Sequence, residues 1–373
     1  MAVLQEYLDW RADVPFSAAP FNDVDNLILA TLAYTDFDGI VPSGRESVSL
    51  DLIYRSFYQT HCRENIPDHG PQIEKAPLLM DGMLSGVRFG SLEACRYINE
   101  IDSDKSAQIS AVTFLLEDGT AYVAFRGTDS TLVGWKEDFN LSYLSETAGQ
   151  QRAIQYLEET AAEISRPLRV GGHSKGGNFA VYASAFCSVQ DRILSVYSND
   201  GPGFRAEIVQ SDAYRRILPK LVSIIPDTSI IGLLLKSDAD QKVVRSSASG
   251  IQQHDPFTWC VCRDSFERAE LSEAGKIIDK AMDTWVEGMD DETRRSFTET
   301  VFSLFESTGA ETFQEIGRNK ARNAEVILSR LFSLAKDKQK ELLMLAGQLI
   351  QSGGQAAVSQ LPDLFLGNKS GNP

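Results

Sequence analysis

The spacing of apolar positions predicts most of the elements in the middle of the chain. Val24, Leu27, Ile28 and Leu32 recur at helical spacing behind Asn22 and Asp23, either of which can cap a helix. Ala107–Leu116 and Thr120–Arg126 are β-like runs joined by Glu117-Asp118-Gly119, and Asp-Gly between such runs predicts a hairpin. A helix is expected from about Gln150 to Ile164, ended by Pro167. A strand at Leu168–Gly171, a small-residue helix at Lys175–Phe186, and strands at Ile193–Ser198 and Leu221–Ile225 follow. The last two strands end at Asn199-Asp200-Gly201-Pro202-Gly203 and at Pro226-Asp227. Strands alternating with helices predict an α/β fold with a mostly parallel central sheet flanked by helices. Residues 1–20 form an irregular lead-in, and residues 35–85 are loop-rich with no clear period.

After residue 263 the period becomes helical throughout. Phe297, Val301, Leu304 and Phe305 form one apolar stripe; Val326, Ile327, Leu331 and Leu334 form a second; Leu342, Leu345, Leu349 and Ile350 form a third. This divides the chain into a sheet domain, residues 1–262, and a helical C-terminal region, residues 263–373, with a frayed tail over 367–373. The helices are expected to cover the sheet domain or one another; a homo-oligomer interface or a membrane-surface contact are the alternatives.

Composition narrows the partners. With 43% hydrophobic and 24% charged residues, the chain has ample material for a core. A formal net charge of -16 repels nucleic-acid phosphates and anionic headgroups, so no nucleic-acid partner is expected. A neutral lipid or small ester is unaffected. The N-terminus lacks a basic start followed by an apolar run, and no run approaches the ~18–20 residues of a membrane span. Neither a signal peptide nor a transmembrane segment is therefore expected. Cys62, Cys95, Cys187, Cys260 and Cys262 are odd in number and lack metal-ligand spacing. They read as reduced thiols in a cytoplasmic protein with no metal.

The chemistry is carried by Gly172-His173-Ser174-Lys175-Gly176. Gly-x-Ser-x-Gly between a strand and a helix puts the serine on a sharp turn, above the sheet and at a helix N-terminus. A nucleophilic serine needs a base, and the histidines are His61, His69, His173 and His254. His173 is the neighbour of Ser174, and side chains on a sharp turn diverge; His61 and His69 precede the motif in the loop-rich stretch. His254 follows it, in the chain order Ser, acid, His of α/β-hydrolases. The acid then lies between them. Asp200 and Asp227 both end predicted strands. Asp227 is preferred because it ends the second strand after the nucleophile strand, whereas Asp200 sits in a Gly-Pro-Gly turn that explains an aspartate on its own.

Phe125-Arg126-Gly127-Thr128, Trp135, Asp138, Gly172-His173-Ser174-x-Gly176-Gly177 and a strand ending in Asp227 together resemble the class 3 lipase family. The chain resembles still more closely the bacterial Mbeg1-like proteins of that superfamily. The shared stretches are Asp25–Gly39, Phe125–Asp138, GGHSKGGN, NDGPGF and QHDPFTW, spread over residues 20–262. The resemblance implies an α/β-hydrolase fold and a cofactor-free esterase or lipase acting on a small-molecule or lipid ester through Ser174, Asp227 and His254. It implies an oxyanion hole made by the backbone N–H groups of Thr128 and Lys175. Lipases of that family carry Leu where this chain has Lys175, so the cation is expected to meet an anionic substrate group or to point to solvent. Residues 129–137 occupy the position of a mobile lid, with Trp135 as its anchor or as a packed structural residue. Acyl transfer or thioester hydrolysis by the same triad, and a binding protein that keeps the fold without catalysis, are the competing functions.

Overall fold

A computed structural model describes residues 3–61, 71–340, 342, 344 and 345. Its centre is an eight-stranded sheet whose spatial order equals chain order. The strands are β1 (Val48–Ser49), β2 (Glu93–Asp102), β3 (Ala107–Leu115), β4 (Ala121–Phe125), β5 (Leu168–His173), β6 (Ile193–Asn199), β7 (Leu221–Pro226) and β8 (Gln241–Val244). The pairs from β1 to β4 are antiparallel, and those from β4 to β8 are parallel. The fold is α/β, of the hydrolase class that the motif predicted.

Each parallel neighbour is reached by a single crossover. Right-handed crossovers between successive adjacent strands put their helices on one face. That face carries the helix Ala148–Glu163 and the helix Lys175–Phe186, whose Tyr156, Leu157, Phe179 and Ala183 pack on Val123, Phe125 and Val170 of the sheet. The opposite face would be left bare. It is covered by N-terminal helices Leu4–Arg11, Asp23–Leu32, Leu50–Thr60 and Leu79–Leu84, which bury Leu27, Ile28, Phe57 and Met80 against Tyr122 and Ala124. Alternation along β4 thus feeds two cores, one on each side.

Helix Asp23–Leu32 is capped as expected: Asn22 accepts the N–H groups of Val24 and Asp25, and Asp25 accepts that of Asn22. The stretch 35–85, which showed no clear period, contains helix Leu50–Thr60 with Leu50, Ile53 and Phe57 buried. His61 ends it, stacked on Phe57 at 4.4 Å.

The division at 262/263 falls inside a small hairpin, Val261–Cys262 with Ser265–Phe266. Phe266 is buried beside Trp259 in the core that also holds the N-terminal helices. Helices Glu273–Glu287, Asp291–Glu306, Phe313–Arg318 and Lys320–Ser333 follow. Phe302, Phe313 and Ile316 form a third core cluster with Leu132 of helix Leu132–Asn140, so the C-terminal helices rest on the segment after Thr128. Among the described residues no helix is long and apolar enough to cross a membrane, and no cluster could hold a metal. Cys62, His69, Leu349, Ile350 and the tail 367–373 lie outside the described residues.

Candidate active site

Ser174 joins β5 to the helix Lys175–Phe186, here called the nucleophile helix. Its backbone has φ 58° and ψ -134°, a region that non-glycine residues rarely occupy. Three contacts over-determine the turn. The Ser174 N–H donates to the Asn199 carbonyl at 3.0 Å, and the N–H groups of Gly177 and Asn178 return to the Ser174 carbonyl at 2.8 and 3.4 Å. Below it, Asn199 donates to the Gly172 carbonyl at 3.0 Å and accepts from Asn26 at 2.8 Å, and Tyr122 donates to Asn26 at 2.6 Å. The turn also needs close backbone approach. A Cβ at Gly176 would lie 2.1 Å from the Phe125 carbonyl oxygen, and one at Gly127 would lie 2.9 Å from Ser174 Cβ. Glycine at 127 therefore lets the chain that continues into Thr128 pass beside the serine.

The structure places Asp200, and not the expected Asp227, against His254. His254 Nδ1 lies 2.6 Å from Asp200 Oδ2, with Asp200 1% and His254 20% exposed. β5 and β6 pair in parallel with His173 opposite Asn199, so Ser174 and Asp200 leave adjacent strands at the same level. Asp200 also turns sharply, at φ 49°, with its N–H on the Ile224 carbonyl at 2.7 Å. Its second oxygen accepts from the Ser229 hydroxyl and from the Gly232 N–H. Asp227 is directed elsewhere: its carboxylate accepts from Gln253 Nε2 at 2.9 Å and from the Thr228 hydroxyl at 3.0 Å. Asp227 thus braces the residue before His254 and does not touch the imidazole. Trp259 reinforces the same loop, donating its indole N–H to the Gln253 carbonyl at 2.8 Å.

His173 is fully buried beneath this arrangement. Its Nε2 bonds the His254 carbonyl at 2.8 Å, and its Nδ1 meets the Tyr34 hydroxyl at 2.9 Å. A carbonyl can only accept, so Nε2 carries the proton and Nδ1 accepts from Tyr34. Burial, with His254 nearby, holds the His173 imidazole well below its usual range, and it is neutral. The rings of His173 and His254 lie 4.5 Å apart. Among the described residues Ser174 and His254 make no direct hydrogen bond; His173, the residue before Ser174, bonds the His254 carbonyl, and Asp200, level with Ser174 on the next strand, bonds the His254 ring. Such bonds often form fully only with substrate in place.

Two residues beside the serine are held from the helix Leu132–Asn140. The Thr128 hydroxyl donates to Asp138 Oδ2 at 2.6 Å. Burial raises the Asp138 carboxyl to about 6, against the opposing pull of Lys175 and of the Thr128 hydroxyl. Lys175 meets neither solvent nor an open site. Its Nζ is wholly buried, 3.1 Å from Glu137 Oε2 and 3.0 Å from Gln108 Oε1, and 5.5 Å from the centre of the Phe179 ring. Glu137 also accepts the N–H groups of Gln108 and Gly149, each at 2.9 Å. Being the first residue of its helix, Lys175 has no intrahelical acceptor for its own N–H. Trp135 packs edge-on against Phe313 at 5.9 Å. Nothing in the sequence pattern marked Glu137: Lys-Glu-Asp on a helix reads as a solvated face, and only its tertiary partners distinguish it.

A family model described as Mbeg1-like matches residues 83–303. No curated protein matches the chain. Among solved structures, a native Rhizomucor miehei lipase propeptide complex is similar over 65% of this chain and 79% of its own, at 12% identity and a TM-score of 0.35. That likeness is too distant to transfer any residue's role.

Proposed function

We propose that this chain, which belongs to the Mbeg1-like family, is a serine hydrolase that cleaves carboxylic esters with Ser174, His254 and Asp200. The observation that carries the reading is the His254–Asp200 contact at 2.6 Å, in register with a serine in a strained strand-to-helix turn. Asp200 accepts the Nδ1 proton of His254, which fixes the tautomer and leaves Nε2 as the base. The Ser174 oxygen then attacks the acyl carbon as its proton passes to His254. The tetrahedral oxyanion is held by the N–H groups of Thr128 and Lys175, helped by the positive end of the nucleophile helix. Collapse expels the alcohol, which takes the proton from His254. Water attacks the acyl-enzyme through the same base, releasing the acid and restoring Ser174.

Hydrolysis of p-nitrophenyl esters of rising acyl length, by wild type and by Ser174→Ala, tests this. Turnover that disappears in Ser174→Ala while the fold is retained is the expected result. Equal turnover in both proteins would remove Ser174 from the chemistry.

A further inference from the structure

The helix Leu132–Asn140 holds both residues to which the oxyanion contacts are assigned, through Asp138 and Glu137. It is secured on two sides. On the outer side its start is bound to the C-terminal region, Leu132 N–H to the Glu311 carbonyl at 2.9 Å and Phe313 N–H to the Ser130 carbonyl at 3.0 Å. Leu132, Trp135 and Phe139 pack there against Phe302, Phe313 and Ile316. On the inner side Glu137 binds Lys175, β3 and the start of helix Ala148–Glu163 through a single carboxylate. The side chains of Glu137 and Lys175 are both 0% exposed, so moving this helix away would strand two buried charges at once.

We propose that the Glu137–Lys175 pair is a latch that keeps the oxyanion hole assembled in water, so that the site acts on esters dissolved as single molecules. The proposal rests on the hydrolase reading of Ser174. Lys175 presents one oxyanion N–H, and Thr128 presents the other from the segment that leads into the helix Leu132–Asn140. Fixing Glu137 to Lys175 fixes the spacing of the two donors before substrate arrives, which is preorganisation of the kind that stabilises a transition state. Glu137 is then a positioning residue, acting through Lys175 and not on the substrate.

Two measurements on the full chain test this. The first follows wild-type rate against the concentration of a short-chain ester through its solubility limit. The expected curve saturates below that limit and does not rise beyond it. A rate that appears only once droplets form would overturn the latch, because the hole would then need an interface to assemble. The second compares Glu137→Gln with the double variant Glu137→Gln/Lys175→Met, which removes the lone buried charge left by the first. The double variant is expected to regain melting temperature but not turnover, with kcat down at least ~10-fold and KM within about twofold of wild type. Wild-type kcat in the folded double variant would reduce the pair to a structural contact and end the proposal. Failure of the hydrolase reading looks different: wild type is then inactive at every concentration and its Ser174 is unreactive towards a fluorophosphonate, and the latch has no hole to hold.

Discussion

His254 Nδ1 and Asp200 Oδ2 lie 2.6 Å apart, whereas the Asp227 carboxylate takes the side-chain amide of Gln253, one residue before the histidine. The two aspartates therefore do different work. Asp200→Asn offers His254 an amide in place of an anion and disturbs its tautomer; kcat is expected to fall about 10³- to 10⁴-fold. Asp227→Asn loosens a brace and is expected to cost less than about tenfold. Steady-state kinetics of the two variants on one ester checks the order, and the reverse order would return Asp227 to the triad.

Asp138 makes a pH prediction. Its carboxyl is raised to about 6 from an ordinary 3.8, so in that window the folded protein binds more protons than the unfolded chain. Stability from this group is present at low pH and is lost as pH rises through 6. Asp138→Asn keeps an acceptor for the Thr128 hydroxyl without the charge. It is expected to be more stable than wild type at pH 8 by about 1–3 kcal/mol, a gain that shrinks towards pH 4. Urea unfolding at both pH values reads the difference.

His173 has the opposite sign. Its folded imidazole is held well below 6.5, so the unfolded chain takes up the proton first as pH falls. Each pH unit below about 6.5 removes ~1.4 kcal/mol of stability until the folded group titrates. His173→Gln cannot titrate, and its unfolding free energy is expected to show a shallower acid slope than wild type between pH 6.5 and 5.

Phe302 tests the seat of the C-terminal helices. It is fully buried against Phe139 at 5.5 Å. Phe302→Ala opens a cavity worth ~3–5 kcal/mol, measurable by thermal or urea unfolding. If the C-terminal helices melt separately from the sheet, the loss will be confined to a first, smaller transition.

Much of the fold was legible because its parallel half is built from short apolar strands punctuated by Gly, Pro and Asp, and β5, β6 and β7 lie within a residue or two of their expected places. β2 was not, because Arg96, Asn99, Glu100 and Asp102 interrupt its apolar pattern and a bulge at Arg96, φ 58°, breaks its alternation. The strand-to-helix turn that carries Ser174 was legible from Gly-x-Ser-x-Gly between β5 and the helix after it. The aspartate that meets His254 was not legible, because Asp200 has a sufficient local explanation in its Gly-Pro-Gly turn and counting strands favours Asp227. What decides between them is inter-strand register, His173 opposite Asn199, which is tertiary information. The surroundings of Lys175 were hidden for the same reason: a cation after the serine looks free until Glu137, 38 residues earlier, is brought against it.

The central claim is that Ser174 is an activated nucleophile served by His254 and Asp200. Labelling with a fluorophosphonate, followed by mass analysis of the modified peptide, tests it most directly. One adduct on Ser174 is expected, lost in Ser174→Ala and strongly slowed in both His254→Ala and Asp200→Asn. Folded wild type that takes up no label, or labels equally well without His254, would contradict it.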